Sequence, residues 1–77
     1  MEYYLYLPNT REYIKETNDD RIWIKTDCIN DAFQENCLLG AINVAKYVCN
    51  QKGLKLNSDL IIIREWFELK REVVYCE

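Results

Sequence analysis

The sequence is poor in the residue types that catalysis and phosphate binding commonly use. Its 77 residues contain no histidine, one proline and two glycines. Without histidine, the chain lacks the usual general base near neutral pH and the usual activator of a serine or cysteine nucleophile. The only serine, Ser58, is placed to cap a helix, and Gly40 and Gly53 stand alone rather than in a phosphate-binding loop. We therefore expect a protein that is not an enzyme and that carries no cofactor.

Long apolar runs are also missing. The longest, Tyr3 to Leu7 and Leu60 to Ile63, fall far short of the roughly 20 residues that a membrane-spanning helix needs. Glu2 follows Met1 directly, which is unlike the basic and then apolar start of a secretory signal. These features predict a cytoplasmic protein with no membrane contact.

The chain has no excess of positive charge. Ten lysines and arginines stand against thirteen aspartates and glutamates, for a net charge of −3. Nucleic-acid-binding proteins normally show a basic stripe, because phosphate contacts supply most of their affinity. Here the basic side chains are scattered, and most have an acidic neighbour, as Arg11 has in Glu12. The charge disfavours nucleic acid as a partner. It either serves solubility alone or favours a protein partner with a basic surface.

Four cysteines allow three interpretations. Cys28, Cys37, Cys49 and Cys76 are an even number in a short chain, which is compatible with a disulfide framework. No two of them are closer than nine residues, unlike the close pairs that bind zinc. Free cysteine is among the most buried residue types, and an apolar fraction of 49% needs no covalent cross-links. We expect buried, reduced thiols and no metal.

The first 27 residues read as an antiparallel β-meander of two or three strands. Glu2 to Leu7 is aromatic and aliphatic, and Pro8 begins a turn after it. Arg21 to Thr26 alternates between apolar and polar residues. The segment between them, residues 11–17, is either a short strand or a short helix.

A long helix is predicted from residues 27–30 to about Gln51, with Gly53 at the position of a C-cap glycine. On a helical wheel its polar residues occupy about 100°, and apolar residues fill most of the remainder. A surface helix needs an apolar arc of only about 100°. This helix should therefore be covered on more than one side, which suggests a homodimer through the central helix.

The last third of the chain fits a second helix better than a strand. Ser58 and Asp59 resemble a helix N-cap, and from Leu60 the apolar and charged residues separate onto two sides of the wheel. The three isoleucines of 61–63 favour a strand by propensity, and the pattern fades over 73–76, where a short edge strand is an alternative. The predicted fold is one α+β domain, residues 1–77, with two layers: an N-terminal β-meander packed on two C-terminal α-helices.

Ten aromatic residues are the feature that most favours binding. The tyrosines of the first strand divide between its two faces, so an open sheet would display some of them together with Trp23. Tyrosine and tryptophan dominate interface hot spots, although in a small chain they also complete the core. The candidate binding residues are two tyrosines, one tryptophan and four carboxylates that would meet a basic patch: Tyr4, Tyr6, Trp23, Glu12, Glu16, Asp19 and Asp20.

In composition alone, this acidic chain, rich in Ile, Asn, Lys and Tyr, resembles the small inhibitors that phages and mobile elements of low-GC bacteria encode. The resemblance implies an inhibitor or adaptor that covers a surface of another protein, most concretely an anti-CRISPR-like anti-defence protein. The alternatives are a small homo-oligomeric DNA-binding regulator and a structural subunit. A helix-turn-helix around Gly53 would place Lys52 and Asp59 where apolar residues belong, which argues against the regulator.

Overall fold

The computed structural model describes residues 2–19, 21–65 and 71–75, which form one antiparallel sheet with an α-helix against one face. The elements in chain order are β1 (Glu2–Leu7), β2 (Glu12–Glu16), β3 (Trp23–Thr26), a single turn of 3₁₀ helix (Ile29–Asp31), α1 (Leu38–Lys52), β4 (Ile61–Glu65) and β5 (Arg71–Val73). The strand order across the sheet is β3-β2-β1-β4-β5. The predicted α+β class is confirmed.

The central strand β1 pairs unequally with its two neighbours. It pairs with β4 along five residues, but with β2 only where Tyr6 faces Tyr13 and Leu7 faces Glu12. Beyond these two pairs, β1 and β2 do not pair with each other, and β2 continues alongside β3. The sheet therefore has a gap between its first two strands.

Residues 32–35, here called the wedge segment, fill this gap. The Phe33 amide donates a hydrogen bond of 2.9 Å to the Ile14 carbonyl of β2. Glu35 and Tyr3 of β1 exchange two backbone hydrogen bonds of 2.8 and 3.1 Å. Ala32 is buried with the side chains of one sheet face, whereas Phe33 packs with those of the other. The chain thus crosses from one face to the other through the sheet.

The two faces of the sheet differ in chemistry, because side chains alternate along each strand. On the helix face, the buried residues that pack with α1 are mainly aliphatic: Leu5, Leu7, Ile14, Trp23, Leu60 and Ile62. On the other, the tyrosine face, the cluster consists of buried Tyr4, Tyr13, Ala32 and Ile63 with half-buried Tyr6, Ile29 and Ile61. Within the described residues, no α-helix packs on the tyrosine face.

Helix α1 begins at Leu38 rather than at residues 27–30, because the chain between β3 and Leu38 is used to cross the sheet. Its C-terminus is as predicted. Gly53 has a φ of 70°, and its amide and that of Leu54 both donate to the Cys49 carbonyl. This left-handed conformation favours glycine, which has no Cβ to clash with the following carbonyl.

Helix α1 packs on the sheet through the small side chains of the helix. Ala41, Ala45 and Val48 are completely buried against the sheet, because small side chains let the helix approach closely. On the opposite side of the helix, Leu39 is 66% exposed and Tyr47 is 43% exposed. Most of the wide apolar arc is therefore covered within one chain, and the predicted homodimer through α1 would contact these two side chains.

The predicted second helix is wrong over 61–65 and 71–73, which form β4 and β5. The β-branched isoleucines alternate between the faces: Ile62 lies in the helix-face core, and Ile61 and Ile63 pack on the tyrosine face. A strand covered on both faces shows a continuous apolar run instead of a polar alternation. Such a run also matches one side of a helical wheel, which is why the sequence predicts a helix there. The part of the helix prediction that covers 66–70 lies outside the described residues.

The Ser58–Asp59 pair belongs to a turn and not to a helix start. An Asp59 carboxylate oxygen accepts a 3.0 Å hydrogen bond from the Lys55 amide, and Asn57 has a φ of 70°. The corrected architecture has one α-helix instead of two within the described residues. Its sheet has five strands, whereas two or three are predicted. Four of these strands are four to six residues long, and β5 has three residues. Residues 12–16 form a strand, which resolves the open alternative there.

Candidate functional site

Three tyrosines form a ring cluster on the tyrosine face. Strand pairing sets Tyr6 directly opposite Tyr13, and Tyr4 follows two residues away on the same face. The Tyr6 and Tyr13 ring centroids are 5.1 Å apart, and those of Tyr4 and Tyr13 are 6.1 Å apart at an interplanar angle of 66°. The Tyr4–Tyr13 pair is edge-to-face and the Tyr6–Tyr13 pair is tilted at 54°, and aromatic pairs at such distances attract each other beyond simple burial. Tyr4 and Tyr13 are buried and hold Tyr6, which remains partly exposed.

A cleft of about 260 Å³ lies beside this cluster. Its lining consists of Tyr6, Arg11, Tyr13, Asp27 and Ile29. It combines two aromatic rings and an aliphatic side chain with one cationic and one anionic group. Such a mixture of apolar surface and a few polar groups is typical of recognition sites.

The backbone of Arg11 is strained. It lies at the end of the β1–β2 turn with a φ of 57°, in the left-handed region that glycine and asparagine adopt most easily. The residue is exposed and its side chain lines the cleft. The turn thus supplies a guanidinium group at a position where the backbone alone would favour glycine.

The tyrosine face continues to both edges of the sheet. Ile24 of β3 is 42% exposed, and Val73 of β5 is 55% exposed. Ile24 faces Lys15 of β2 and Val73 faces Ile63 of β4, so each belongs to this face by register. Exposed apolar side chains therefore flank the tyrosine cluster on two sides.

Trp23 does not accompany the tyrosines, contrary to the expectation from an open sheet. It lies on the helix face and is 9% exposed. Its ring packs edge-on against that of Phe33 in the wedge segment, with the two ring centroids 5.2 Å apart. The reason is alternation: in β3 it is Ile24 that points to the tyrosine face. Trp23 is a core residue.

The predicted carboxylates are also separated from the tyrosines. Glu12 faces Leu7 and Glu16 faces Trp23, so both lie on the helix side of β2. Asp19 lies in the next turn and forms an ion pair with Arg21 at 3.2 Å. The hydrogen bonds from the side chain and the amide of Arg21 lower the pKa of the Asp19 carboxyl below its ordinary value. Asp20 lies outside the described residues.

Of the predicted binding residues, the structure brings together only Tyr4 and Tyr6. Sequence reasoning missed four residues that surround them: Arg11, Tyr13, Asp27 and Ile29. Tyr13 alternates with Ile14 in the sequence, so a correct strand assignment for 12–16 would have placed it on a face. The contributions of Asp27 and Ile29 depend on the path of the chain through the sheet, which has no local signal.

The cysteines differ from the expectation of uniform burial. Cys28 and Cys37 are exposed free thiols, and Cys49 is a buried free thiol. Burial raises the pKa of the Cys49 thiol, and the Asp59 carboxylate raises it further. Cys76 lies outside the described residues.

A second, smaller cleft of about 130 Å³ lies on the helix side. It is lined by Leu7, Asn9, Thr10, Lys25, Leu54 and Asp59. Among the residues that the structure describes, no group of three His, Cys, Asp or Glu side chains is arranged to hold a metal ion. The described part of the chain has no helix long and apolar enough to cross a membrane.

No protein-family profile, curated protein or solved structure gives a significant match to this chain. Its function must be inferred from the surfaces of the molecule itself.

Proposed function

We propose that this protein is a non-enzymatic protein-binding module that acts stoichiometrically, as an inhibitor or adaptor, and that its tyrosine face is the binding surface. The observation that carries the proposal is a sheet face on which none of the described residues forms an α-helix and where the partly exposed Tyr6 ring borders the cleft with Arg11 and Asp27. The proposed mechanism is occlusion: the bound face covers a surface that the partner needs for its own activity.

Tyrosine suits such a face better than an aliphatic residue. Its ring offers a large and rigid contact area, while its hydroxyl group tolerates water when no partner is bound. The buried rings of Tyr4 and Tyr13 hold Tyr6 in place, so little conformational entropy is lost when Tyr6 is covered. This gives the free protein a contact surface that is already ordered.

The left-handed backbone conformation of Arg11, which is energetically unfavourable, supports the same proposal. A strained backbone conformation persists only where the surrounding structure or a function compensates for it. Arginine is also among the residues most enriched in interface hot spots, because its planar guanidinium group donates several hydrogen bonds and stacks on rings. We assign Arg11 and Tyr6 as the two principal contact residues of the cleft.

The partner is proposed to be a protein with a basic or mixed surface. The net charge of −3 favours approach to a basic surface, and Asp27 provides a carboxylate within the cleft. In its most specific form, the proposal is a cytoplasmic anti-defence inhibitor of a phage or mobile element, and composition alone supports that form.

The proposal is tested by capture of partners from a lysate of the native host, quantified by mass spectrometry for the wild type and three variants. Arg11→Ala and Tyr6→Glu should each deplete the captured partner at least tenfold, because each removes a hot-spot contact. Leu39→Glu on the exposed side of α1 is the matched control and should leave capture unchanged. Full capture by both cleft variants together with loss in Leu39→Glu would refute the assignment of the tyrosine face.

A further inference from the structure

Strand β3 ends the sheet, and no described strand pairs with its outer edge. Ile24 within the strand is 42% exposed, and Ile22 just before it is 51% exposed. An edge strand with exposed apolar side chains is a template for another strand. We propose that this edge binds a second copy of the chain, with β3 antiparallel to β3, so that two five-stranded sheets join into one. This inference goes beyond the proposed function and does not depend on it.

Symmetry restricts how the edge can pair with itself. In a two-fold dimer the same patch contacts itself, so one point of the strand lies on the axis. Side chains that face each other across antiparallel strands lie on the same face of the sheet. The two-fold axis must therefore lie midway between the two copies of a single residue that face each other. An axis between two residues adjacent in sequence would set side chains of opposite faces against each other. For the four-residue strand, an axis at Ile24 or Lys25 pairs three residues of each copy with strand residues of the other, and an axis at Trp23 requires the residues before the strand to pair as well.

Charge distinguishes these registers. An axis at Lys25 sets two lysines against each other, and an axis at Trp23 sets Lys25 against Arg21. Like charges placed directly opposite each other are destabilising. An axis at Ile24 avoids both conflicts and pairs Trp23, Ile24 and Lys25 of one copy with the same three residues of the other. It sets these residues opposite one another: Ile24 with Ile24, Lys25 with Trp23, and Ile22 with Thr26.

The same register also brings opposite charges together. Glu16 faces Trp23 across β2 and β3 on the helix side of the sheet, and it is exposed. With Ile24 on the axis, Lys25 of one copy lies opposite Trp23 of the other and reaches over it toward Glu16. In a single chain, Lys25 lines the smaller cleft with Asp59, so pairing turns its exposed side chain outward. The axis produces this contact twice.

The dimer is tested by analytical ultracentrifugation from micromolar to millimolar concentrations. A four-residue edge predicts weak, concentration-dependent association rather than a permanent dimer. Ile24→Lys should weaken it at least tenfold, because it sets two ammonium groups on the axis, and the exposed site spares the core. Leu39→Glu is the control for a dimer through α1 and should not change it. A wild-type monomer at every concentration, or a dimer lost in Leu39→Glu but kept in Ile24→Lys, overturns the proposal.

Charge exchange tests the register. Lys25→Glu and Glu16→Lys should each weaken association roughly tenfold, and the double variant should restore it. A double variant as weak as either single variant would contradict the Lys25–Glu16 contact and with it the axis at Ile24.

Disulfide trapping tests the register independently. Residues facing each other in antiparallel strands have Cα atoms about 4.5 or 5.5 Å apart, within the range that a disulfide bridges. In a chain carrying the substitutions Cys28→Ser, Cys37→Ser and Cys76→Ser, Ile24→Cys should form a covalent dimer under mild oxidation. Lys25→Cys should not, because its two copies would lie about 8 Å apart. The reverse result would overturn the register.

Discussion

Leu5 and Ile62 of the helix face are at most 1% exposed beneath Ala45 of α1, whereas Tyr6 of the tyrosine face keeps part of its ring in water beside Tyr13. The first arrangement is that of a core: aliphatic side chains covered by a helix whose small residues allow close packing. The second packs the Tyr6 ring at a tilt against buried Tyr13 and leaves Tyr6 at the boundary with water. The helix face therefore holds the fold together, and the tyrosine face is the one that we propose for contact with a partner.

Truncation on the helix face should have the largest effect on stability. We expect Leu5→Ala to lower the free energy of unfolding by about 2–5 kcal/mol, because it removes buried methyl groups and leaves a cavity. Leu39→Ala, at a site that is 66% exposed, should change it by about 0.5 kcal/mol or less. Urea unfolding followed by tryptophan fluorescence measures both. Equal losses in the two variants would contradict the placement of the core.

Truncation on the tyrosine face should lower the unfolding free energy less than truncation on the helix face does, and it should lower the affinity for the partner more. Tyr6→Ala removes one half-buried ring and its contact with Tyr13, which we expect to cost about 1–2 kcal/mol of unfolding free energy. Its effect on affinity for the captured partner should exceed its effect on stability. The comparison of the two faces would fail if Tyr6→Ala were as destabilising as Leu5→Ala while affinity remained that of the wild type.

One substitution on the tyrosine side should stabilise the fold. Arg11→Gly relieves a left-handed backbone at the end of the turn, and after the entropy cost of glycine we expect a gain of about 0.5–1 kcal/mol. Asn9→Gly, in the same turn but without a positive φ, is the matched control and should be neutral or destabilising. Thermal unfolding distinguishes the two. If Arg11→Gly were the more destabilising variant, the Arg11 side chain would hold the turn rather than serve recognition.

The smallest expected effect is a pH dependence on the helix face. Because the pKa of Cys49 is raised above its ordinary value of 9.0, the thiol ionises first in the unfolded chain. Its contribution to stability is therefore fully present below about pH 9 and declines as the pH rises above it. The cost of Cys49→Ala should shrink over that range, whereas the cost of Val48→Ala, beside it in the core, should stay constant. Parallel urea titrations at several pH values test this; a constant cost for both variants would contradict the burial of the thiol.

The parts of the fold that the sequence predicts are those set by local chemistry. The aromatic strand Glu2–Leu7 and the glycine that ends α1 at Gly53 are both found where expected. At Ile61–Ile63 the sequence pattern predicts a helix in place of the observed strand, because burial on both faces removes the alternation that marks a half-buried strand. No pattern predicts the wedge segment, since its hydrogen bonds to Tyr3 and Ile14 are set by tertiary structure.

The residues of the candidate site, like the elements of the fold, can be predicted from the sequence only where local chemistry places them. The tyrosines of β1 are visible in the sequence, and their division between two faces follows from alternation alone. Trp23 was misplaced because its face depends on the register between β2 and β3. Arg11 was recognisable only as a charged residue near a turn, because its left-handed backbone and its position in the cleft appear only in three dimensions.

The central claim is that the tyrosine face, and not the exposed side of α1, contacts the partner. Carbene footprinting with mass spectrometry, applied to the free protein and to its captured complex, tests it most directly. We predict that labelling of Tyr6 and Arg11 falls on binding while labelling of Leu39 and Tyr47 is unchanged. Protection of Leu39 and Tyr47 with no change at Tyr6 and Arg11 would contradict the claim.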